Sequence, residues 1–521
     1  MDFPFSLYFI GHAGFMLEYN NLKLLCDPWV SDSGAFLHSW HQFPPNDFID
    51  KTKLYDADYL YVSHMHCDHF DKEFLRIFPK EKVTLIIADF LSDTFYHELT
   101  KLGFPRIITL QDWEKYTLGE NFSVMMFKDQ SLYKIDSLVL IDIAGKKILN
   151  KNDCHLSEVY FEKFREQKID LLLAQFSGAM WYPAVYDYDD IRKNIFSAKI
   201  KKNLLDSFVA LANGVAAKNI IHYAGPPCFL EEQFFKFNFQ EQGIFHDQQD
   251  VFQRIQEQIN GKLHLLHPSD TIKLTQDGTV NITRERNVDF SRKKELLHQY
   301  QQRRKPIIES YLRNLKPADE KTMATFENHL AEIFSSNRYI KDKVNALIRF
   351  TVTGKHGGDI FVDTRYHNLT ISRSSTENAH YSFTLQDTIV QVLVDGTERW
   401  EDLLLSMRFQ AKRNPDLYNW PLFALLLFSK EPKLLARIEQ MMRDNEKEKI
   451  MVRDGTTQYE IQRFCPHAGE DLRNAIIKNG RLVCPRHQWT FDLRSKGECV
   501  FGGNMPLKIY AEFNDEEEGQ I

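Results

Sequence analysis

Residues 63–71 carry an unusual density of metal-binding side chains. The stretch reads SHMHCDHFD, so that His64, His66, Asp68 and His69 follow one another directly after the apolar run ADYLYV. Imidazole nitrogens and carboxylate oxygens are common ligands of iron and zinc in proteins. Because alternate side chains of an extended segment point to the same side, His64 and His66 can share one ion. Asp68 and His69, where the chain turns, can then hold a second ion.

The pattern H-x-H-x-D-H at the end of a strand resembles the metal-binding signature of the metallo-β-lactamase fold. That fold supplies a metal-bridging carboxylate after a later strand, and Asp153, which follows KKILNKN, matches it. It also supplies a last histidine near the end of another strand, and His222 in NIIHYAG matches that position. The alternative for His222 is a packed core histidine. The resemblance thus adds Asp153 and His222 to the predicted metal ligands.

The same fold normally has one more histidine before the strand that leads to Asp153. The segment MMFKDQSLYKIDSLV contains none, so Asp129 is a possible substitute and His155 is another nearby donor. A carboxylate there would make the site richer in oxygen, which suits iron better than zinc. His12, in IGHAG, is expected at the pocket rim, as a substrate contact, a residue behind the ligands or a packed histidine. The predicted catalytic residues are His12, Asp68 and Asp153.

A second group of metal-binding side chains lies near the other end of the chain. Cys465 and His467 form C-x-H, and Cys484 and His487 form C-x-x-H after residues 468–483. Zinc fingers usually place both cysteines together and both histidines together, whereas here each loop supplies one of each. The pattern resembles the Rieske family, in which two cysteines hold one iron of a [2Fe–2S] cluster and two histidines hold the other. A structural zinc site is the alternative.

Longer runs are similar to the CMP-N-acetylneuraminate hydroxylase family. They are GHAGFMLEYNNLKLLCDPWV, YLYVSHMHCDHFDKEFL, GKKILNKNDC, QFSGAMWYP and RFQAKRNPDLYNW. The resemblance covers most of residues 6–425 and implies an O₂-dependent monooxygenase supplied by NAD(P)H through a separate carrier. Two differences are evident. The family's Rieske domain precedes the metallo-β-lactamase-like part, and Leu132 falls near the position of a family histidine, while His222 has no counterpart there.

Composition limits the classes of protein that the chain can belong to. It has 521 residues, of which 43% are hydrophobic, and a formal net charge of −7. This charge argues against a nucleic-acid partner, and no apolar run approaches the roughly 18 residues that span a bilayer. Seven cysteines scattered over the chain argue against a disulfide framework and favour a reducing cytoplasm. We therefore expect a cytoplasmic protein without a membrane span.

Three domains are predicted within an α+β multidomain fold. Residues 1–275 alternate apolar strands with helical segments and are expected to form a metallo-β-lactamase-like αββα sandwich that carries the catalytic metal centre. Residues 290–440 are expected to form a small α+β domain that resembles sterol-carrier-like modules. Residues 446–515 are expected to form an all-β Rieske domain, after a charged linker at 441–450.

The two centres together predict an oxygenase. A hydrolase of this fold uses zinc to generate hydroxide and needs no electrons, whereas an iron site that activates O₂ must receive them. We expect one or two iron ions at the N-terminal site and a [2Fe–2S] cluster that relays electrons. The electrons would come from NAD(P)H through a reductase and a ferredoxin or cytochrome b5-like carrier. The predicted reaction inserts one oxygen atom into an amino-sugar, nucleotide-sugar or amine substrate.

Two other functions fit the same residues. One is a zinc-dependent hydrolase with a redox-sensing Rieske appendage. The other is an electron-transfer protein whose N-terminal domain is only a docking scaffold. The metal bound at the N-terminal site separates them from the oxygenase, because only the oxygenase needs iron in both domains.

Overall fold

The computed structural model describes residues 2–129, 133–239, 241, 243–275, 277–467, 469–485, 488–501 and 505–514. Its N-terminal part contains two large sheets. The first has eight strands, in spatial order Val280–Thr283, Thr271–Thr275, Asp2–Gly11, Gly14–Tyr19, Leu22–Cys26, Tyr59–Tyr61, Thr84–Ala88 and Ile107–Leu110. The second has seven, in spatial order Lys262–His264, Asn219–Tyr223, Leu171–Gln175, Lys146–Asn152, Ser137–Ile143, Phe122–Lys128 and Lys115–Gly119. A short pair, Trp40–His41 with Cys228–Phe229, lies apart from both.

The two sheets pack face to face and helices cover their outer faces. Strand Leu171–Gln175 is continuously apolar because Leu171 and Leu173 face the core between the sheets while Leu172 faces the helices. The covering helices are Lys72–Ile77 and Thr94–Lys101 on the first sheet, and Phe161–Glu166, Asp190–Val215 and Gln248–Ile255 on the second. This layering confirms the predicted αββα sandwich.

The middle of the chain adds a five-stranded sheet packed with helices. Its strands, in spatial order, are Thr370–Ser372, Gly358–Asp363, Leu347–Val352, Tyr381–Leu385 and Phe409–Arg413. The helices are Lys293–Asn314, Glu320–Ser335, Arg338–Val344, Asp387–Val394, Trp400–Leu405, Trp420–Phe428 and Pro432–Lys447. The first of these helices buries Leu297 and Tyr300 against Phe43 and Leu230 of the N-terminal part. The domain boundaries themselves stay predictions.

The charged segment 441–450 is not a linker, contrary to the prediction. It ends the helix Pro432–Lys447 and begins the strand Lys449–Asp454. Met441 and Met442 are buried in the core of the middle sheet, which explains why the helix continues through this polar stretch.

The C-terminal part consists of two small antiparallel sheets. One contains Lys449–Asp454, Thr457–Gln462 and Ile509–Asn514, and the other contains Ile476–Lys478, Arg481–Val483, Thr490–Asp492 and Glu498–Phe501. Cys465 and Cys484 are buried in the core that these sheets share. Within the described part of the chain, no helix combines the length and the apolar character needed to cross a bilayer.

Candidate metal centres and their surroundings

The H-x-H-x-D-H motif forms a tight loop between strand Tyr59–Tyr61 and helix Lys72–Ile77. The carbonyl oxygen of His66 accepts a hydrogen bond from the N–H of His69 at 3.0 Å and so closes the turn. The side chain of Asp71 then caps the helix. A hydrogen-bonded loop between two packed elements holds its side chains in place, as a metal centre requires.

Two groups of potential ligand atoms meet at this loop. Within each group the atoms lie within 4.8 Å of one another, and the members are His12, Asp68 and His69 in one and His64, His66 and Asp153 in the other. His69 Nε2 lies 3.3 Å from Asp153 Oδ1, so the two groups adjoin. The structure thus brings together all three predicted catalytic residues and all the predicted N-terminal ligands except His222.

The histidines are oriented by a buried carboxylate and a hydroxyl. Asp27 accepts hydrogen bonds from the Ser63 N–H and Oγ at 2.8 and 2.7 Å, and its Oδ2 lies 3.1 Å from His69 Nδ1. Ser63 Oγ also lies 2.9 Å from His64 Nδ1. These contacts leave the Nε2 atoms of both histidines facing the centre. Carboxylate support of this kind fixes the tautomer of a ligating histidine.

Burial and mutual contact shift the pKa values of these groups. Burial lowers the pKa of His64 well below its ordinary value, and the neighbouring His69 and His66 lower it further. Burial acts in the same direction on His69, but Asp153, Asp27 and Asp68 together outweigh it and raise the pKa of His69 well above its ordinary value. For Asp153, burial raises the pKa and His69 more than offsets that effect, so the pKa is lowered. A neutral His64 beside an ionised Asp153 offers lone pairs that a cation can use.

Asp136 is a residue that the sequence reasoning missed. Its Oδ1 lies 4.0 Å from His64 Nδ1, and this buried atom has no hydrogen-bond partner among the described residues. Burial, followed by the charge of Asp129, raises the pKa of Asp136 to about 7. Of the two suggested substitutes for the missing histidine, Asp129 is buried beside Asp136, and its N–H donates to the Asp136 carbonyl at 2.8 Å. Leu132, the family position, lies outside the described residues.

Glu401 is the second missed residue, and it comes from the middle domain. Its Oε1 lies 2.9 Å from His66 Nε2, while His66 Nδ1 lies 2.8 Å from His64 Nε2. Burial lowers the pKa of His66, but Glu401 more than offsets this and raises that pKa to about 9. Glu401 can therefore hold the outer nitrogen of His66 while the inner nitrogen faces the centre. No local sequence pattern marks a residue so distant in the chain.

The structure does not bring His222 to the cluster, in contrast to the prediction. In its strand, Ile221 and Tyr223 face the core between the sheets, so His222 points to the opposite, helix-covered face. There its Nε2 lies 2.8 Å from the Gln248 carbonyl oxygen and its ring packs near Phe176. This arrangement agrees with the alternative, a packed core histidine.

A cavity of about 350 Å³ lies beside the histidine pair, between the N-terminal and middle domains. His64, His66 and Asp136 form part of its wall. Its apolar lining comes from both domains and includes Phe90, Phe95, Trp400, Leu426, Phe428 and Leu434. A volume of roughly 300–1,000 Å³ is usual for sites that bind small molecules. The cavity thus joins a pocket of suitable size to the candidate metal centre.

The C-terminal group retains the geometry expected of cluster ligands. Donor atoms of Cys465, His467 and Cys484 lie within 4.8 Å of one another, and Cys465 Sγ is 3.6 Å from His467 Nδ1. The ring of His467 stacks on Trp489, with ring centroids 4.4 Å apart. His487, the fourth predicted ligand, lies outside the described residues. The two buried thiols and the imidazole fit a Rieske cluster.

The C-terminal domain contacts the N-terminal domain close to the first centre. Glu470, in the loop that follows Cys465, has its Oε1 4.0 Å from His155 Nε2. His155 is two residues beyond Asp153 in the chain. Elsewhere in this interface, Gln488 Nε2 donates to Ser207 Oγ at 3.2 Å. The C-terminal domain therefore contacts the segment that follows Asp153.

The N-terminal donor set fits a transition metal. It combines imidazole nitrogens with carboxylates, and Asp68 Oδ1 is buried without a hydrogen-bond partner among the described residues. Burying a carboxylate oxygen in this way is costly unless a cation compensates it. A mixed set of this kind suits iron and also accepts zinc.

Comparisons with known proteins identify a domain at each end of the chain. The β-lactamase superfamily domain matches residues 6–136, and the Rieske [2Fe-2S] domain matches residues 435–511. The protein therefore combines a metallo-β-lactamase-fold domain with a C-terminal Rieske domain, which confirms the predicted order.

Relatives of two kinds resemble the chain. A protein of Mycolicibacterium smegmatis described as a Rieske 2Fe-2S iron-sulfur protein is 27% identical, over 94% of this chain and 97% of its own. The cytidine monophosphate-N-acetylneuraminic acid hydroxylase of Xenopus laevis is 21% identical, over 79% of this chain and 70% of its own. The predicted resemblance to that hydroxylase family is thereby confirmed. The solved structure of CmlA, a diiron beta-hydroxylase from Streptomyces venezuelae, overlaps 53% of this chain and 55% of its own, with 14% identity and a TM-score of 0.35.

Proposed function

We propose that the protein is a Rieske-coupled, iron-dependent monooxygenase that hydroxylates a small molecule. One observation carries the proposal: the Rieske domain contacts the segment that follows Asp153, with Glu470 Oε1 4.0 Å from His155 Nε2. A hydrolytic centre has no use for an electron carrier at this position, whereas an oxygenase centre requires one. The named hydroxylases among the relatives support the same class of reaction.

The overall reaction balances with two electrons from outside the protein. A substrate R–H, one O₂, two electrons and two protons give R–OH and one water. We propose that a ferredoxin or cytochrome b5-like protein, reduced from NAD(P)H by a reductase, delivers the electrons one at a time to the Rieske domain. In this proposal Cys465, His467, Cys484 and His487 hold the [2Fe–2S] cluster.

The N-terminal residues would hold one or two iron ions. His64, His66 and Asp153 form one set of donors and His12, Asp68 and His69 the other, with Asp136 at the edge. Iron bound there would supply the activation of O₂. The chain's own contribution is positional: Asp27 and Glu401 hold the imidazoles, and the apolar cavity wall keeps bulk water away from the reacting bond.

The proposal also includes a class of substrate and a cellular location. The cavity volume fits a small molecule such as an amino sugar, a nucleotide sugar or an amine. We place the protein in the cytoplasm, where cysteines stay reduced. No disulfide joins any of its seven cysteines, all of which lie in the described part of the chain.

Oxygen consumption and metal analysis test the function. The purified protein, supplied with a reductase and a carrier, should consume O₂ and bind iron in both domains. His64→Ala should abolish consumption while the visible spectrum of the [2Fe–2S] cluster stays unchanged. His97→Ala, which changes an exposed histidine, serves as the matched control and should behave like the wild type. Zinc at the N-terminal site, or normal oxygen uptake by His64→Ala, would contradict the proposal.

A further inference from the structure

The charges around the cavity distinguish between substrate classes. Its wall carries four carboxylates, Asp136, Glu398, Glu401 and Glu431, and the basic side chains Arg399, Lys430, His64, His66 and His329. The Arg399 guanidinium is held by carboxylates, with its Nε 3.1 Å from Asp402 Oδ2 and its Nη1 3.2 Å from Glu401 Oε2. Lys430 also lines the cavity and is exposed to solvent. Among the described residues that line the cavity, the single arginine is therefore already held by carboxylates and is not available to bind a phosphate as an arginine fork usually does.

Glu398 contributes another carboxylate to this wall. No hydrogen bond or ion pair to its carboxylate is formed by the described residues, whereas Glu401 contacts both His66 and Arg399. Burial, followed by the charge of Asp402, raises the pKa of Glu398 to about 7. Arg399 and Lys72 act in the opposite direction on this pKa, but neither contacts the Glu398 carboxylate. A half-buried carboxylate that no cation contacts is stabilised by a cation that enters the cavity.

The apolar part of the wall complements such a cation. Trp400 and Phe428 face the cavity, and the indole N–H of Trp400 donates to His329 Nε2 at 3.1 Å, which fixes the ring. A fixed indole ring attracts both hydrocarbon and ammonium groups. An anionic nucleotide sugar would instead bring its phosphate groups close to the carboxylates of this wall.

We propose that the cavity binds an apolar amine, with its ammonium group against Glu398 and its hydrocarbon part against Trp400 and Phe428. This inference rests on the proposed function in one respect, that the bound amine is the molecule that is hydroxylated. Binding itself is independent of the reaction. The hydroxylated position is then a C–H bond of the hydrocarbon part, which lies toward His64 and His66.

Calorimetric titration of the oxidised, full-length protein without reductant tests this directly. The probes are phenylalkylamines from phenethylamine to phenylbutylamine, the alcohols and carboxylates of the same length, and cytidine monophosphate. The amine that binds best should bind about tenfold more tightly than its alcohol, which corresponds to about 1.4 kcal/mol. Its carboxylate analogue and cytidine monophosphate should bind more weakly than the alcohol.

Glu398→Gln locates the site. This change removes the charge and keeps the shape, so the amine should lose its tenfold preference while the alcohol keeps its affinity. Glu257→Gln, at an exposed glutamate outside the cavity wall, is the matched control and should change neither value. The visible spectrum of the [2Fe–2S] cluster verifies that each variant is folded.

Two results would overturn the inference: no amine of the series binding more tightly than its alcohol, or cytidine monophosphate binding more tightly than every amine. Oxygen uptake is measured separately, so the two proposals can fail separately. Amine binding without oxygen uptake would leave the cavity assignment standing and reject the monooxygenase. Oxygen uptake without amine selectivity would reject only the substrate class.

Discussion

Glu401 Oε1 lies 2.9 Å from His66 Nε2, although 335 residues separate them in the chain. This contact makes the middle domain part of the proposed N-terminal metal centre. It also places the centre beside the cavity that both domains line. In the proposed function, a substrate that enters the cavity meets Glu401, which contacts the proposed metal ligand His66.

Glu401→Gln should weaken metal binding at the N-terminal site. The amide cannot stabilise the outer N–H of His66 as a carboxylate does, and such losses typically reduce metal affinity by about 10–100-fold. Iron content after dialysis against a graded chelator measures the effect. Glu327→Gln, which breaks only a surface pair with Arg373, is the control. Unchanged iron retention in Glu401→Gln would show that the contact with His66 is merely structural.

Cys484→Ser should abolish the visible absorption of the [2Fe–2S] cluster. Its thiol belongs to the group formed with Cys465 and His467, and a serine hydroxyl is a poor ligand for this cluster. Cys499→Ser is a matched control in the same domain, because the Cys499 thiol donates to the Phe501 carbonyl and lies outside the group. Equal loss of the spectrum in both variants would refute the ligand assignment.

Glu231→Gln should destabilise the junction between the N-terminal and middle domains. Arg408 Nη2 lies 2.5 Å from Glu231 Oε1, and both side chains are almost fully buried. Removing one charge of a buried pair leaves the other uncompensated and costs about 3–5 kcal/mol. Denaturant unfolding measures the loss. Asp187→Asn, which breaks the exposed pair with Lys412, should cost about 0.2–1 kcal/mol. Equal costs for the two variants would contradict the prediction.

His41→Phe should flatten the fall in stability at acid pH. Burial, followed by the charge of Arg304, lowers the pKa of His41 to about 3. In the unfolded chain this group titrates near about 6.5. Between these values the unfolded state binds a proton that the folded state excludes, so stability falls as the pH falls, and above pH 6.5 the effect is absent.

The size of this pH effect follows from the same linkage. Going from pH 7.5 to pH 5, the wild type should lose more unfolding free energy than His41→Phe, by up to about 1.4 kcal/mol per pH unit below 6.5. Chemical denaturation at the two pH values supplies both differences. Substituting the exposed His97 with phenylalanine should not reproduce the flattening.

Local patterns in the sequence were sufficient to predict the αββα sandwich, the Rieske motif and the loop that carries the H-x-H-x-D-H motif. Each is encoded within a few residues, as with the alternation of Leu171 to Leu173 or the spacing from His64 to His69. Glu401 could not be predicted as a part of the site, because its partner His66 lies in another domain. His222 was expected among the metal ligands from its position near a strand end. That position alone does not reveal which face of the strand carries the side chain. The helix Pro432–Lys447 extends into the predicted linker because Met441 is buried in the core. This burial depends on tertiary packing, which the local sequence does not show.

The contact between His155 and Glu470 yields a last prediction, on electron transfer. Because it connects the Rieske loop to the Asp153 segment, His155→Gln and Glu470→Gln should each slow the oxidation of the reduced cluster by O₂. The double variant should be no slower than the slower single one, since both changes break the same contact. Stopped-flow absorbance of the cluster gives the rates. Ser207→Ala removes a different contact of the same interface, with Gln488, and should leave the rate unchanged. An equal slowing in Ser207→Ala would mean that the interface only docks the Rieske domain and that His155 has no special part in the transfer.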